Sequence, residues 1–131
     1  SNGDGQRGGR FYRPKMKSCQ TLKKNWEFQE TFNKGRSYSN STLVLYVCPI
    51  GENGGLLKVA FCVGKKLGSA VRRNRIKRQL KHAFFMLKDR VARGFSVIII
   101  ARGKAAQADY AVLTKAMQDL LIKADLLLKE E

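Results

Sequence analysis

The sequence predicts an α/β fold: a single-domain α/β sandwich with one central sheet, helices packed on it, and the order α-β-β-α-β-α. Apolar residues recur at helical spacing in three stretches, and three short runs rich in Val, Leu and Ile read as strands. Gly, Asp or Thr punctuates the boundaries between them. At 131 residues and 44% apolar content, the chain can bury one ordinary core without staples.

Residues 1–17 carry Gly3, Gly5, Gly8, Gly9, Arg7, Arg10, Arg13, Lys15 and Lys17 with little to bury. A flexible basic N-terminal tail is expected there, leaving 18–131 as the folded domain. Thr21 is the expected N-cap of a first helix that runs to about residue 33 and stops at Lys34-Gly35. Leu22 and Trp26 mark its expected inward face. Residues 43–47 read as a strand, and residues 57–63 as another whose alternate members Leu57, Val59, Phe61 and Val63 share a face. The stretch 49–55, with Pro49, Gly51, Gly54 and Gly55, suits a hairpin loop between them.

A second helix is expected over about 70–92, with Ile76, Leu80, Ala83, Phe84, Leu87 and Val91 as its core-facing stripe. Arg93-Gly94 closes it. Residues 95–102 hold an unbroken apolar run, as a strand covered on both faces requires. Asp109 is the expected N-cap of the last helix, whose buried side is Leu113, Ala116, Met117, Leu120, Ala124 and Leu127.

Charge narrows the function. The chain has 26 Lys plus Arg against 10 Asp plus Glu, a formal net charge of +16, which points to nucleic acid before any neutral ligand. Ten of the cations lie between Lys65 and Arg90, where Asp89 is the one acid. On an idealised wheel of about 100° per residue, Asn74, Arg75, Arg78 and Lys81 fall opposite the apolar stripe, so the outward face is cationic throughout. A solvated charged face normally mixes both signs, and this one does not. Arg73 falls near the apolar side of the wheel and is expected to project past the end of the sheet at the helix's first turn.

The three cysteines, Cys19, Cys48 and Cys62, are scattered and odd in number, which suggests neither a disulfide framework nor a zinc site and fits a reducing compartment. No apolar run approaches the roughly 18 residues of a membrane span, and residues 1–14 do not read as a signal peptide. The acids are scattered, His82 is the lone histidine, and the glycines form no phosphate-binding loop. No catalytic residue and no protein metal site is therefore expected. Phe28 and Phe32 stack on one side of the first helix, with Tyr46 on the next strand. Spacing alone leaves two readings open, core packing or a platform for unpaired bases.

Two motifs carry a family resemblance. The first is Leu22-Lys23-Lys24-Asn25-Trp26-Glu27-Phe28-Gln29-Glu30-Thr31-Phe32-Asn33-Lys34-Gly35. The second is Lys65-Lys66-Leu67-Gly68-Ser69-Ala70-Val71-Arg72-Arg73-Asn74-Arg75-Ile76-Lys77-Arg78. Together they resemble the protein subunit of bacterial ribonuclease P, although Ala60 and Gly64 stand where that family often has Gly and Ser.

The resemblance implies a left-handed β-α-β crossover, an exception to the usual hand. It implies a subunit of an endoribonuclease whose chemistry is carried by a catalytic RNA, with Mg²⁺ bound mainly by that RNA, removing the 5′ leader of precursor tRNA. The implied partners are the catalytic RNA and precursor tRNA, with no membrane and no small-molecule substrate, in the cytoplasm. The catalytic RNA would meet Lys65, Lys66, Arg72, Arg73, Asn74, Arg75, Lys77, Arg78 and Lys81. The leader would meet Lys24, Phe28, Phe32, Val44 and Tyr46, which favours the base-contact reading of the two phenylalanines. A structural RNA-binding protein of ribosomal type and a binder of anionic membranes are the competing readings.

Overall fold

The computed structural model describes residues 19–21, 25–50 and 57–127. Its elements run β1 (Cys19–Thr21), α1 (Asn25–Lys34), β2 (Arg36–Ser39), β3 (Leu43–Pro49), β4 (Leu57–Cys62), α2 (Ala70–Leu87), β5 (Phe95–Ala101) and α3 (Tyr110–Lys123). Three 3-10 turns, Lys65–Leu67, Lys88–Arg90 and Gly103–Gln107, lead into or out of them. The five strands form one sheet in the order β1-β4-β5-β3-β2. β1, β4 and β5 run parallel, while β3 is antiparallel to both β5 and β2. The expected α-β-β-α-β-α order is present, with β1 and β2 added.

Strand alternation sorts the side chains onto two faces. Leu43, Leu45 and Val47 of β3, Leu57 and Val59 of β4, and Val97, Ile99 and Ala101 of β5 point to one face. There they pack against Ile76, Leu80, Phe84 and Leu87 of α2 and Leu113, Met117, Leu120 and Leu121 of α3. Burying each large aliphatic side chain stabilises the fold by roughly 1.5–3 kcal/mol, so this layer holds most of the stability. The apolar cluster on the opposite face is small, with Ala60 and Ile98 buried and Phe28, Tyr46, Cys62 and Ile100 partly covered around them. α1 lies across β3 and β5 on that sparse face.

Central β5 is buried on both faces, as its unbroken apolar run predicts: Val97 and Ile98 are 0% exposed. The α2 stripe is buried, with Val91 just past the helix end; of the α3 stripe Leu113, Ala116, Met117 and Leu120 are buried, while Ala124 and Leu127, beyond Lys123, are only partly covered. Ser69 caps α2, its side chain accepting from Arg72 N at 3.3 Å. Asp109 caps α3 as expected, accepting from Val112 N at 2.9 Å. Gly68 enters α2 at φ +131°, a left-handed conformation that side-chain-bearing residues avoid.

Several expectations need correcting. Thr21 is no N-cap; it pairs with Val59 in edge strand β1, and α1 begins at Asn25. Trp26 does not face inward but is 60% exposed, because α1 turns Phe28 and Thr31 to the sheet. Leu22 lies outside the described residues, as does the expected tail at 1–17. The link from β3 to β4 is not a hairpin, since β5 sits between the two strands and pairs with both. An apolar run that must be covered on both sides takes the central position. α2 ends at Leu87 and continues as the 3-10 turn Lys88–Arg90.

Candidate nucleic-acid interface

On the sparse face of the sheet, α1 and the partly covered residues beside it border a strip of β3, β4 and β5, the candidate groove. Phe28 packs partly into the small cluster around Ala60 and Ile98. Phe32, one helical turn on, stays 39% exposed at the edge of that cluster. Its ring meets Tyr46 edge-on, with centroids 4.8 Å apart and planes at 78°. Such an arrangement satisfies the ring quadrupoles and leaves ring surface open. Val44 lies two residues from Tyr46 on the same strand and hence on the same face, half-buried. The structure thus brings Phe28, Phe32, Val44 and Tyr46 together. Lys24 lies outside the described residues.

Polar contacts fix α1 over this face. Thr31, 1% exposed, donates to its own helix at Glu27 O (2.8 Å) and lies 2.7 Å from the Ser96 hydroxyl of β5. Glu27 also forms an ion pair with Lys58 of β4, both side chains being largely covered. At the helix end, a Cβ on Gly35 would stand 2.4 Å from Thr31 O and 2.6 Å from Val47 O, so only glycine lets the chain turn this closely onto β3.

The groove floor includes residues that sequence reasoning missed. Ile100 and Cys62 join Phe28 and Tyr46 there. The β2–β3 register sets Ser37 opposite Tyr46 and Ser39 opposite Val44, placing both hydroxyls on the groove face. Strand parity was the available signal for Ile100; β2 was too polar to be read as a strand. Burial pushes the Cys62 thiol above its ordinary pKa, with the Lys77 charge pulling it back. Cys48 is also raised, first by burial and then by Glu30, against the pull of Lys34.

α2 presents the second half of the surface. Lys65 and Lys66 are exposed in the turn before it, and Arg72, Asn74, Arg75, Arg78 and Lys81 are exposed along it. Arg73 and Lys77 are half-buried. Arg73 folds back over the helix entrance, its Nε donating to Gly68 O at 3.2 Å. Among the described residues, no group of three or more His, Cys, Asp or Glu side chains is arranged to hold a metal ion. No helix of the described chain is long and apolar enough to cross a membrane.

An α/β sheet with a partly exposed aromatic set on one face and a cationic helix packed on the other is the class of protein that this fold defines. The family follows from similarity: a model of the Ribonuclease P family matches residues 16–125, and the chain belongs to that family. The Ribonuclease P protein component of Thermoanaerobacter sp. (strain X514) is 36% identical over 105 residues, 80% of this chain and 89% of the relative. That of Geobacillus kaustophilus is 40% identical over 109 residues, covering 83% and 89%. The solved RNase P protein of Staphylococcus aureus superposes with a TM-score of 0.76 at 32% identity, over 82% of this chain and 96% of that one.

Proposed function

We propose that this chain binds the catalytic RNA of ribonuclease P through α2 and the 5′ leader of precursor tRNA through the groove. It thereby assists RNA-catalysed, Mg²⁺-dependent removal of the leader in the cytoplasm. The observation that carries this reading is the partly exposed aromatic set of Phe28, Phe32 and Tyr46 on one face of the sheet together with the acid-free cationic helix packed on the other.

On α2, the exposed guanidinium and ammonium groups of Lys65, Lys66, Arg72, Arg75, Arg78 and Lys81 release condensed counterions when they meet phosphates. Arginine adds a planar fork matched to phosphate oxygens, and Asn74 an amide that donates and accepts. Arg73 and Lys77, half-buried on the same helix, are assigned to the catalytic RNA with the exposed cations. In the groove, Phe32 and Tyr46 offer ring surface to unpaired bases while Phe28 and Val44 shape the floor. Stacking of this kind tolerates many leader sequences because every base has a π-face. Lys24, preceding α1, is assigned to the leader backbone.

The donor set on this surface is cationic and amide, whereas Mg²⁺ demands oxygen ligands and retains its waters. This reading assigns the ion mainly to the RNA phosphates. What the chain contributes is binding and orientation, within an endonuclease whose bond-breaking lies in the partner.

Reconstitution tests the proposal. The chain is added to a bacterial catalytic RNA at low Mg²⁺, and cleavage of precursor tRNA is followed. Restored cleavage, with precursor bound more tightly than mature tRNA, is the expected result. Equal affinity for the two substrates would favour a purely structural RNA-binding role.

A further inference from the structure

α3 carries two opposite stripes. Leu113, Ala116, Met117, Leu120 and Leu121 are buried against the sheet and α2. On the far side, Val112, Lys115, Asp119 and Ile122 follow one another at intervals of three, four and three residues. At roughly 100° per residue these four fall within one arc of about 80°, a single outward ridge. All four are exposed, Val112 at 48% and Ile122 at 61%. Such spacing is that of the seam between two paired helices.

The order along the ridge is apolar, basic, acidic, apolar. Laid antiparallel on a copy of itself, about a two-fold axis level with Met117, the ridge sets Val112 against Ile122 and Lys115 against Asp119, each pair occurring twice. Every cation then meets an acid and every aliphatic an aliphatic. A parallel pairing sets Lys115 on Lys115 and Asp119 on Asp119, which repel, so the ridge specifies the antiparallel arrangement. Within one chain, Lys115 Nζ already lies 3.8 Å from Asp119 Oδ1. An exposed pair of this kind contributes little and leaves both groups able to bond a second partner.

The surroundings favour a protein partner there. Between Asp109 and Asp125 the chain has two lysines and three aspartates, whereas α2 has six cations and no acid. On a chain of net charge +16, α3 is therefore where another copy meets the least repulsion. α3 packs on the sheet face opposite Phe28 and Tyr46, so a copy seated on it leaves that aromatic set uncovered. We propose that α3 is a self-association surface, on which a second copy of this chain docks by antiparallel pairing of the ridge from Val112 to Ile122. At about 1.5 Å per residue the ridge is about 15 Å long, which places the dimer among small, transient interfaces. Self-association of this kind is independent of the RNA assignments.

Sedimentation velocity of the full chain, freed of nucleic acid, tests it across a wide range of protein concentration. Moderate salt is used, which screens the net charge beyond about 10 Å. A concentration-dependent dimer is expected. Lys115→Glu and Asp119→Lys should each weaken it about 10-fold or more, because each opposes like charges in both pairs. Lys115→Glu lowers the net positive charge, so its loss of dimer cannot come from general repulsion. An equimolar mixture of the two variants should associate as the parent does, since both ion pairs re-form between unlike chains. A chain that stays monomeric throughout, an affinity unchanged in both charge variants, or a mixture that stays monomeric overturns the proposal. Circular dichroism checks that each variant folds. Should one single variant fail to fold, the double variant Lys115→Glu/Asp119→Lys, which swaps the pair and keeps the net charge, should associate like the parent, and Ile122→Ser should not; failure of either expectation likewise overturns the surface.

Discussion

Thr31→Val removes one hydroxyl from the seam between α1 and the sheet while keeping the side-chain volume, and its cost can be worked from the contacts. Thr31 Oγ1 has a single proton, which it donates to Glu27 O at 2.8 Å. In the 2.7 Å contact with Ser96, the Ser96 hydroxyl must therefore be the donor. Valine strips that donor of its acceptor at a site where Thr31 and Ser96 are 1% and 7% exposed. A buried donor left unpaired costs about 1–3 kcal/mol. Ser96→Ala leaves Thr31 bonded to Glu27 O and loses one net hydrogen bond, about 0.5–1.5 kcal/mol. The double variant removes donor and acceptor together and leaves no orphan. Its destabilisation should fall short of the sum of the singles by about 1 kcal/mol. Urea unfolding of the four proteins, with a common m-value, measures this coupling. Strict additivity within a few tenths of a kcal/mol would refute the lock. Because α1 carries Phe28 and Phe32, Thr31→Val should also reduce the preference for precursor over mature tRNA without changing affinity for the catalytic RNA.

Arg75→Ala and Arg78→Ala should each weaken catalytic-RNA binding and lower the slope of log affinity against log salt by about 1, as filter-binding across a salt series would show. Unchanged slopes would mean that neither guanidinium meets a phosphate. Phe32→Ala removes a ring that is 39% exposed, so its stability cost should lie well below the roughly 3–5 kcal/mol of a buried Phe. Precursor affinity should drop by about 1–3 kcal/mol, with mature tRNA unaffected; a parallel loss for both ligands would count against leader contact. Gly35→Ala sets a Cβ 2.4 Å from one carbonyl oxygen and 2.6 Å from another, and should destabilise by about 1–3 kcal/mol or more in thermal melts. Cys62, its thiol raised by burial, should be alkylated by iodoacetamide more slowly than a free thiol near pH 8.5, where it holds less thiolate. Bound precursor tRNA should slow it further, and unaltered labelling on tRNA addition would place the leader elsewhere.

The main core was legible because its signals are local. The stripe from Ile76 to Val91, the alternation from Leu57 to Val63 and the run in β5 each announce their own burial, and the structure buries the stripe, Leu57 and Val59, and Val97 to Ile99, with Phe61 and Val63 partly covered. β1 and β2 escaped notice for the same reason. Three residues at one edge and the polar Arg36-Ser37-Tyr38-Ser39 at the other have no pattern of their own, and their backbones are paired by neighbours distant in sequence. The position of β5 between β3 and β4 was equally hidden, since short loops favour pairing of successive strands and only the demand for two-sided cover argues against it.

α1 shows where local reading fails in a way that bears on function. Periodicity offered two stripes, Leu22 with Trp26 and Phe28 with Phe32, and the larger ring suggested the wrong one. The helix instead lies on the face whose apolar cluster buries just Ala60 and Ile98 among the described residues, so hydrophobic burial alone specifies its position weakly. Two polar contacts supply what is lacking: Thr31 with Ser96, and Glu27 with Lys58. A helix docked in this manner can keep aromatic rings partly exposed without collapsing onto the sheet, because its distance is set by hydrogen-bond length and not by the drive to bury apolar area. The groove is therefore open by virtue of a polar seam, and its width should respond to that seam before it responds to changes in the main core.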